Sequence, residues 1–173
     1  TNTTYRTQSI EGDSTYVANY NINISVTAVN GNAVISSHNN VSSGNYAEGT
    51  PLTLTATASE GYGFVNWTKN GAVIEGDEEI TVTVDVPAEY VANFAKYTIE
   101  ASVNPTAGGS VDVVSTTDGN QSTGSYAHGA TATLSTTAAE GYTFVNWTKG
   151  EEIVGTNTTY RTQSIEGDST YVA

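Results

Sequence analysis

Apolar and polar residues alternate along several short segments of the chain, with a period of two residues. The clearest examples are PLTLTATA (51–58) and ITVTVDV (80–86), and the second places Val82, Val84 and Val86 on one face. Successive side chains of a β-strand point to opposite faces, so this alternation is typical of strands with one buried face. Helix-forming residues are scarce, whereas Thr, Val, Tyr, Ser, Asn and Gly are abundant. The pattern therefore predicts an all-β fold.

A hairpin turn is predicted at Asn70-Gly71, within the sequence KNGAVI. A two-residue type I′ turn needs positive φ at both central positions, and Asn and Gly adopt positive φ more readily than other residues. The corresponding place later in the chain carries Gly150-Glu151, which is a weaker signal for the same kind of turn.

The aromatic residues in GYGFVNW (61–67) do not follow simple alternation. Tyr62 and Phe64 share a face, but Trp67 comes three residues after Phe64, so a regular strand would point it to the other side. We expect a β-bulge that returns the indole to the core. The alternative is an outward-facing Trp that covers a neighbouring element or binds a ligand. The same spacing recurs later in the chain, at Tyr142, Phe144 and Trp147.

The chain is built from internal repeats. GYGFVNWTK (61–69) returns eighty positions later as GYTFVNWTK (141–149), and TNTTYRTQSIEGDSTYVA occupies both 1–18 and 156–173. Self-similarity at a fixed spacing is typical of tandem modules. The repeats predict a cassette of two related units with a period of 155 residues.

The boundaries of the units follow from a shared closing segment. YVANF (90–94) matches YVANY (16–20), and the chain ends with YVA from the same segment. No linker rich in Pro, Gly or Ser separates the units. We therefore predict the end of a preceding unit at 1–19, a first unit at 20–96, and a second unit at 97–173 that stops before its last strand is complete.

The repeated unit resembles a known family. Its pattern is Y-x-x-G-x-x-x-x-L-x-A, then G-Y-x-F-x-x-W, a hairpin, a Val-rich strand and Y-V-A-N-F. This order is similar to the divergent internalin-B-type B repeat of the Listeria–Bacteroides repeat group, and the likeness covers both units nearly end to end. The residues that carry it in the first unit are Tyr46, Gly49, Leu54, Gly61, Tyr62, Phe64, Trp67, Val91, Ala92 and Phe94. In the second unit they are Tyr126, Gly129, Leu134, Gly141, Tyr142, Phe144, Trp147, Val172 and Ala173.

The resemblance implies tandem extracellular modules of large bacterial surface proteins, each a small β-grasp-like or sandwich-like domain in an elongated array. The residues that the family shares are mainly core and turn positions, so the resemblance implies no active site. We accordingly predict structural roles, mostly in the core, for Tyr46, Leu54, Tyr62, Phe64, Trp67, Phe94, Tyr126, Leu134, Tyr142, Phe144 and Trp147.

The composition is strongly acidic. The chain has 18 Asp and Glu against 5 Lys and Arg, which gives a net charge of −13. Such a surface repels phosphate backbones and anionic lipids, so we expect neither nucleic-acid binding nor binding to membrane surfaces. No apolar run reaches the length of a membrane span, so we expect no membrane insertion. The absence of Cys excludes disulfides and thiolate metal sites.

The sequence offers no complete catalytic or metal-binding set. His38 and His128 lie at non-equivalent positions of the two units, since His128 aligns with Glu48, and we interpret both as loop residues. The acidic stretch EGDEE (75–79) has the oxygens that Ca²⁺ prefers, but it lacks the alternating ligands of an EF-hand loop. We interpret it as a solvated turn. The prediction is a non-enzymatic protein without a cofactor or a metal.

Two short motifs are candidates for modification. Asp13-Ser14-Thr15 and Asp168-Ser169-Thr170 resemble the O-glycosylation motif of Bacteroidetes, with Ser14 and Ser169 among the acceptors. Three letters are a weak signal in a chain so rich in Ser and Thr.

These observations favour a structural role. We expect a semi-rigid stalk or filament at the bacterial cell surface, with neighbouring repeat units and also identical chains as candidate partners. The competing hypothesis is a module that binds carbohydrate or a host protein, in which exposed tyrosines such as Tyr46 and Tyr126 stack on the ligand. Finding Trp67 or Trp147 exposed in a groove would favour this alternative.

Overall fold

A computed structural model describes residues 19–74, 76–115, 119–121 and 123–173. These residues form two successive β domains, here called unit 1 and unit 2, which meet within one long strand. The strands of unit 1 are β1 (Ile22–Val29), β2 (Gly31–Ile35), β3 (Ser43–Tyr46), β4 (Pro51–Ala58), β5 (Gly63–Lys69), β6 (Ala72–Ile74), β7 (Glu79–Thr83) and β8 (Ala88–Ser102).

Unit 2 continues from β8 and follows the strand order of unit 1, with a 3-10 turn and one short strand, β10 (Gly119–Gln121), in addition. A short 3-10 turn at Thr106–Gly108 follows β8. The remaining strands are β9 (Gly109–Ser115), β10 (Gly119–Gln121), β11 (Thr123–Ala127), β12 (Thr133–Ala138), β13 (Trp147–Lys149), β14 (Glu152–Gly155), β15 (Thr159–Arg161) and β16 (Ser169–Val172).

Each unit consists of two sheets packed around one core. In unit 1 the larger sheet has the order β6-β5-β8-β1-β3, and the smaller sheet has the order β2-β4-β7. In unit 2 the corresponding sheets are β14-β13-β16-β8-β11 and β10-β9-β12-β15. Only the pairs β1–β8 and β16–β8 are parallel among the described strands; all others are antiparallel. The fold is all-β, as predicted, and the two layers match the sandwich-like alternative.

Strand β8 belongs to both units. Its first half pairs with β1 and β5, as the last strand of unit 1, and its second half pairs with β11 and β16, as the first strand of unit 2. The even-numbered residues from Ala88 to Phe94 are buried in the core of unit 1, whereas Ile99 and Ala101 are buried in the core of unit 2. Side chains alternate along a strand, so this change from even to odd numbers places the two cores on opposite faces of β8.

The aromatic spacing around Trp67 is explained by a bulge. The pairing of β5 with β8 joins Phe64 to Phe94 and then Asn66 to Asn93, so Val65 is an extra residue in β5. Such an insertion turns the next side chains to the opposite face. Trp67 consequently lies in the core with no exposed surface.

The other predicted core residues are placed as follows. Leu54, Leu134 and Trp147 are fully buried, and Phe94 and Tyr126 are nearly so. Tyr46, Tyr62, Phe64 and Phe144 are half-buried and pack against the core of their unit.

Tyr142 differs from the other predicted core and motif residues, because 45% of its surface is exposed. Its counterpart Tyr62 is half-buried, and Lys96 lies over its ring with Nζ 4.9 Å from the centroid.

The common face predicted for Val82, Val84 and Val86 is only partly present. Strand β7 ends at Thr83. Val84 continues the alternation and is buried, with its amide donating to the carbonyl of Thr50 at 3.0 Å. The chain then turns away, and 49% of Val86 is exposed.

The predicted hairpin turn joins β5 to β6. Asn70 and Gly71 have φ of 50° and 82°, the two positive values that a type I′ turn requires. Asn70 also ties the turn to β8, because its Oδ1 accepts the amide of Glu89 at 2.9 Å. In the corresponding turn of unit 2, Gly150 has positive φ and Glu151 does not, as in a type II′ turn.

Replacing Asn70 should therefore weaken unit 1. We expect Asn70→Ala to lower its free energy of unfolding by about 1–2 kcal/mol, since Ala adopts positive φ less readily and the amide of Glu89 loses its acceptor. Chemical denaturation followed by circular dichroism measures this change. The matched control is Glu151→Ala in the turn of unit 2, which should change stability by less than about 0.5 kcal/mol. Equal effects of the two substitutions would contradict the role of Asn70.

Candidate functional site at the junction of the two units

The tryptophans are structural. Trp67 Nε1 donates to the carbonyl of Asp77 at 3.1 Å, and Trp147 Nε1 donates to the carbonyl of Asn157 at 3.1 Å. A buried indole N–H needs such a partner. Both side chains are fully buried, so neither lines a groove that a ligand can enter.

The acidic turn after β6 closes over Trp67. Its Glu75 lies outside the described residues. Asp77 supplies the carbonyl that the indole binds, and Glu78 supplies a carbonyl to the amide of Ala56 at 2.8 Å. Across the described ranges, no group of three or more His, Asp or Glu residues is placed to hold a metal ion.

The tyrosines considered for ligand stacking pack on their own strands. The ring of Tyr46 lies over Gly44, and that of Tyr126 lies over Gly124, where a Cβ would collide with either ring. Tyr126 is 7% exposed, and its hydroxyl donates to the carbonyl of Val114 at 2.7 Å. His38 packs edge-on against Tyr46, with ring centroids 5.0 Å apart. These contacts leave neither ring as a free platform.

The candidate modification sites are Ser14 and Ser169. Ser14 lies outside the described residues. Ser169 is half-buried at the start of β16, and its hydroxyl is 3.4 Å from the carbonyl of Gly167. The neighbouring Asp168 is held in place by its Oδ1, which accepts the amide of Thr98 at 2.7 Å.

One surface ion pair has clear electrostatic effects. Lys69 Nζ donates to Asp85 Oδ1 at 2.9 Å. This hydrogen bond raises the pKa of Lys69 and, together with the amide of Val86, lowers the pKa of Asp85. Both groups face solvent, so we expect the pair to contribute little to stability. Elsewhere, burial raises the pKa of Tyr171.

The junction between the units is where residues from the two domains meet. The amide of His128 donates to the carbonyl of Ala95 at 3.0 Å, which extends the pairing of β11 along β8. Gly63 lies against the backbone of His128, and a Cβ there would collide with the His128 carbonyl. The His128 ring is 6.0 Å from that of Tyr97. His128 is thus a junction residue rather than a free loop residue.

The buried side of His128 is polar. Its Nδ1 is enclosed and has no hydrogen-bond partner within the described part of the chain. On the unit 1 side, Lys96 covers Tyr62 in a cation–π contact. The contacts that join the two units are the bond from the His128 amide to Ala95 and the close approach of Gly63 to the His128 backbone.

Sequence reasoning did not identify this contact. Gly63, Lys96 and His128 carry no motif, and they come together only through the pairing register of β8. The one available signal was the difference between GYGF in unit 1 and GYTF in unit 2, where Gly63 corresponds to Thr143. A position that accepts only Gly in one repeat indicates a close backbone approach there.

Taken together, the geometry defines a tandem β-repeat protein whose recurring aromatic residues build cores and whose units share a strand. The family model of the divergent InlB B-repeat domain matches residues 22–98 and 99–173. The chain therefore belongs to this family, in two tandem copies. No curated protein matches the chain.

The family indicates the broad class of the protein. Divergent InlB B-repeats are bacterial surface repeats and are typically not enzymes. In the described ranges, no helix is long and apolar enough to cross a membrane.

Proposed function

We propose that the chain is a segment of a semi-rigid stalk, which extends from the bacterial surface and has a mechanical rather than a catalytic role. The observation that supports this most is the 15-residue strand β8, which closes one unit and opens the next. A flexible linker would allow the units to rotate freely. A shared strand does not, because its backbone is fixed by hydrogen bonds on both sides.

The strand pairing also supports an extended array. Ser25 in β1 pairs with Glu89. The residue of unit 2 that corresponds to Ser25 is Glu100, and it pairs with Thr170. Within each unit, the last strand thus lies beside the first strand. Along β8, the pairing position of unit 1 at Glu89 and that of unit 2 at Glu100 are eleven residues apart. At about 3.3 Å per residue, equivalent points of neighbouring units lie about 36 Å apart. This distance is the upper limit of the axial spacing.

The contacts at the junction support rigidity. The His128 amide is bonded to Ala95, Lys96 lies over Tyr62, and Gly63 allows the two backbones to approach. Bending at this point would break a backbone hydrogen bond and open packed surface, so we expect the angle between units to vary little.

Electron microscopy of the native array tests the stalk directly. We expect a straight fibre with an axial spacing of roughly 30–36 Å per unit, from the domain diameter and the strand rise. A chain of beads with variable angles would contradict the proposal.

A distance measurement on the chain itself gives a second test. Spin labels at Ala72→Cys and Glu152→Cys mark equivalent exposed sites of the two hairpins. Pulsed electron paramagnetic resonance should give one narrow distance distribution, as narrow as that of a control pair inside unit 1 at Asn32→Cys and Ala72→Cys. A distribution much broader than the control would rule out a rigid junction.

A further inference from the structure

A polar pocket in unit 2 lies between the hairpin of β13 and β14 and the connection that joins β15 to β16, residues 162–168. Its volume of about 440 Å³ is within the range of small-molecule sites. The buried side chains of Ile99, Ile165 and Tyr171 are among its walls, and every wall residue belongs to the described part of the chain. The elements of unit 2 therefore supply the whole pocket.

Tyr171 has an unpaired hydroxyl group on the wall of this pocket. Its side chain is only 5% exposed, and its ring packs against that of Tyr160 with centroids 5.8 Å apart. The hydroxyl makes no hydrogen bond to any described residue, and its oxygen is not sealed from solvent. Burial, together with the nearby Tyr160, raises the pKa of Tyr171, so the hydroxyl stays protonated at neutral pH. A buried Tyr usually has a hydrogen-bond partner, so this group is available to a ligand.

Unit 1 satisfies the equivalent groups internally. Lys69 Nζ lies 5.9 Å from the centroid of the Tyr90 ring, and Lys149 Nζ lies 5.8 Å from that of Tyr171, so the two lysines are placed alike. In unit 1, Asp85 in the short connection before β8 binds the Lys69 ammonium group at 2.9 Å. The connection before β16 is longer, and Lys149 forms no ion pair with any described residue. The same framework is thus closed by an ion pair in unit 1 and left open in unit 2.

The rim of the pocket mixes hydrogen-bond acceptors with donors. Glu152, Glu166 and Asp168 supply carboxylates. Lys149 supplies donors, and the amide of Gln163 supplies both kinds of group. Asp168 is held in place, because its Oδ1 accepts a backbone amide of β8 at 2.7 Å. Such a rim suits a ligand whose own groups both donate and accept.

The charges at the rim exclude several classes of ligand. Three carboxylates against one ammonium group, within a chain of net charge −13, repel phosphates, sulfates and acidic sugars. Across the described ranges, no His, Asp and Glu residues are grouped to hold a metal ion. An organic cation would compete with Lys149 for the face of Tyr171. An apolar ligand would leave the Tyr171 hydroxyl without a partner.

We propose that the pocket binds a neutral sugar ring. Such a ring has an apolar face of C–H groups, and the half-buried Tyr160 offers part of its aromatic ring to this face. The Tyr171 hydroxyl donates to a sugar oxygen, and the carboxylates of Glu152 and Asp168 accept hydrogen bonds from sugar hydroxyl groups.

Sugar binding goes beyond the proposed stalk, because it depends on the walls of one pocket and not on the angle between the units. A chain with a rigid junction that binds no sugar would end this proposal and leave the stalk intact. A chain with a flexible junction that binds a sugar would do the reverse.

Nuclear magnetic resonance on the isotope-labelled full chain tests the site. The probes are the methyl glycosides of glucose, galactose, mannose and N-acetylglucosamine, each titrated to about 50 mM, because one neutral ring should bind with a Kd of about 1–10 mM. We expect a probe to shift the amides of Tyr171 and residues 163–168 in a saturable way, but not those of Tyr90 and residues 84–87. Binding should be equally strong in about 0.5 M NaCl, because the ligand has no charge.

Two results of this titration would overturn the proposal. One is the absence of saturable shifts at the pocket with every probe. The other is tighter binding of N-acetyl-lysinamide than of any sugar, with loss of that binding in salt, since the carboxylates would then recognise a cation.

Tyr171→Phe tests the hydroxyl, because it removes only that group and keeps the ring in the core. We expect the bound probe to dissociate with a Kd about 2–10-fold higher, the effect of one lost hydrogen bond. The matched control is Tyr90→Phe at the equivalent position of unit 1, which should change the Kd by less than about twofold. Equal weakening by the two substitutions would overturn the proposal.

Two neighbouring glutamates give a second comparison. Glu152 lines the pocket, whereas Glu151 precedes it in the turn and is not among the wall residues. Glu152→Ala should raise the Kd about 2–10-fold, and Glu151→Ala should change it by less than about twofold. An unchanged Kd in both Glu152→Ala and Tyr171→Phe would place the sugar elsewhere and overturn the proposal.

Discussion

Trp67→Ala will remove most of the stability of unit 1. The indole is fully buried, packs against Phe64 with ring centroids 6.3 Å apart, and donates to the carbonyl of Asp77. Removing a buried Trp typically costs about 3–5 kcal/mol, through lost burial and the cavity that remains. A domain of this size has a total stability of only about 4–12 kcal/mol, so the loss is a large fraction of the whole.

The chain supplies its own reporter for this experiment. It has 2 Trp residues, one in each unit, so the fluorescence of Trp147 follows unit 2 when Trp67 is absent. We expect circular dichroism in Trp67→Ala to show an early unfolding step in urea, while the fluorescence of Trp147 reports a later one. The junction couples the two steps, but the substitution weakens unit 1, so unit 1 should unfold first.

A graded substitution separates packing from hydrogen bonding. Trp67→Phe keeps much of the apolar volume but leaves the carbonyl of Asp77 without its donor, so it should cost less than Trp67→Ala. Trp147→Ala should have an equivalent effect on unit 2, where the acceptor is Asn157. A loss below about 1 kcal/mol for Trp67→Ala would show that the site collapses around the missing side chain.

Much of the fold follows from local sequence. The alternation in PLTLTATA corresponds to β4, Asn70-Gly71 has the predicted turn geometry, and the three-residue step from Phe64 to Trp67 corresponds to a bulge in β5. Each of these features depends on residues within about ten positions, and their physical preferences do not need a partner to be known.

Features that depend on distant pairing were not predictable. Tyr142 and Tyr62 sit in nearly identical sequences, yet 45% of Tyr142 is exposed, whereas Tyr62 is half-buried with Lys96 over its ring. The contact of Gly63 with His128 likewise depends on where β11 lies along β8. The sequence contains no evident catalytic set, and nothing in it indicated that residues of the two units meet at the junction.

The nature of the boundary between the units also depends on strand pairing and was not predictable from local sequence. The match of the closing segments predicts the boundary between residues 96 and 97. The structure shows that this point lies inside a continuous strand, so the units are not separated by a turn or a loop. The two units are distinguished by which residues of β8 face each core. The core of unit 1 is on the side of Phe94 and the core of unit 2 on the side of Ile99, and the odd separation of these residues places the cores on opposite faces of the strand.

Inserting a single Thr between Lys96 and Tyr97 should therefore change the arrangement of the units more than inserting two. One extra residue moves Ile99 and Ala101 to the face that unit 1 uses, so unit 2 must rotate about β8 or the strand must form a bulge. Two extra residues restore the original face and lengthen the strand by about 7 Å. The smaller insertion has the larger effect because side chains alternate with a period of two.

Pulsed electron paramagnetic resonance between labels at residues 72 and 152 measures this difference. Two Thr residues should shift the distance by no more than about 7 Å, since the facing of the units is retained. One Thr should shift it further or broaden it strongly. Both insertions separate His128 from Ala95, so the loss of that bond is common to them and serves as the internal control. A shift that simply grows with the number of inserted residues would show that alternation along β8 does not determine how the units face each other.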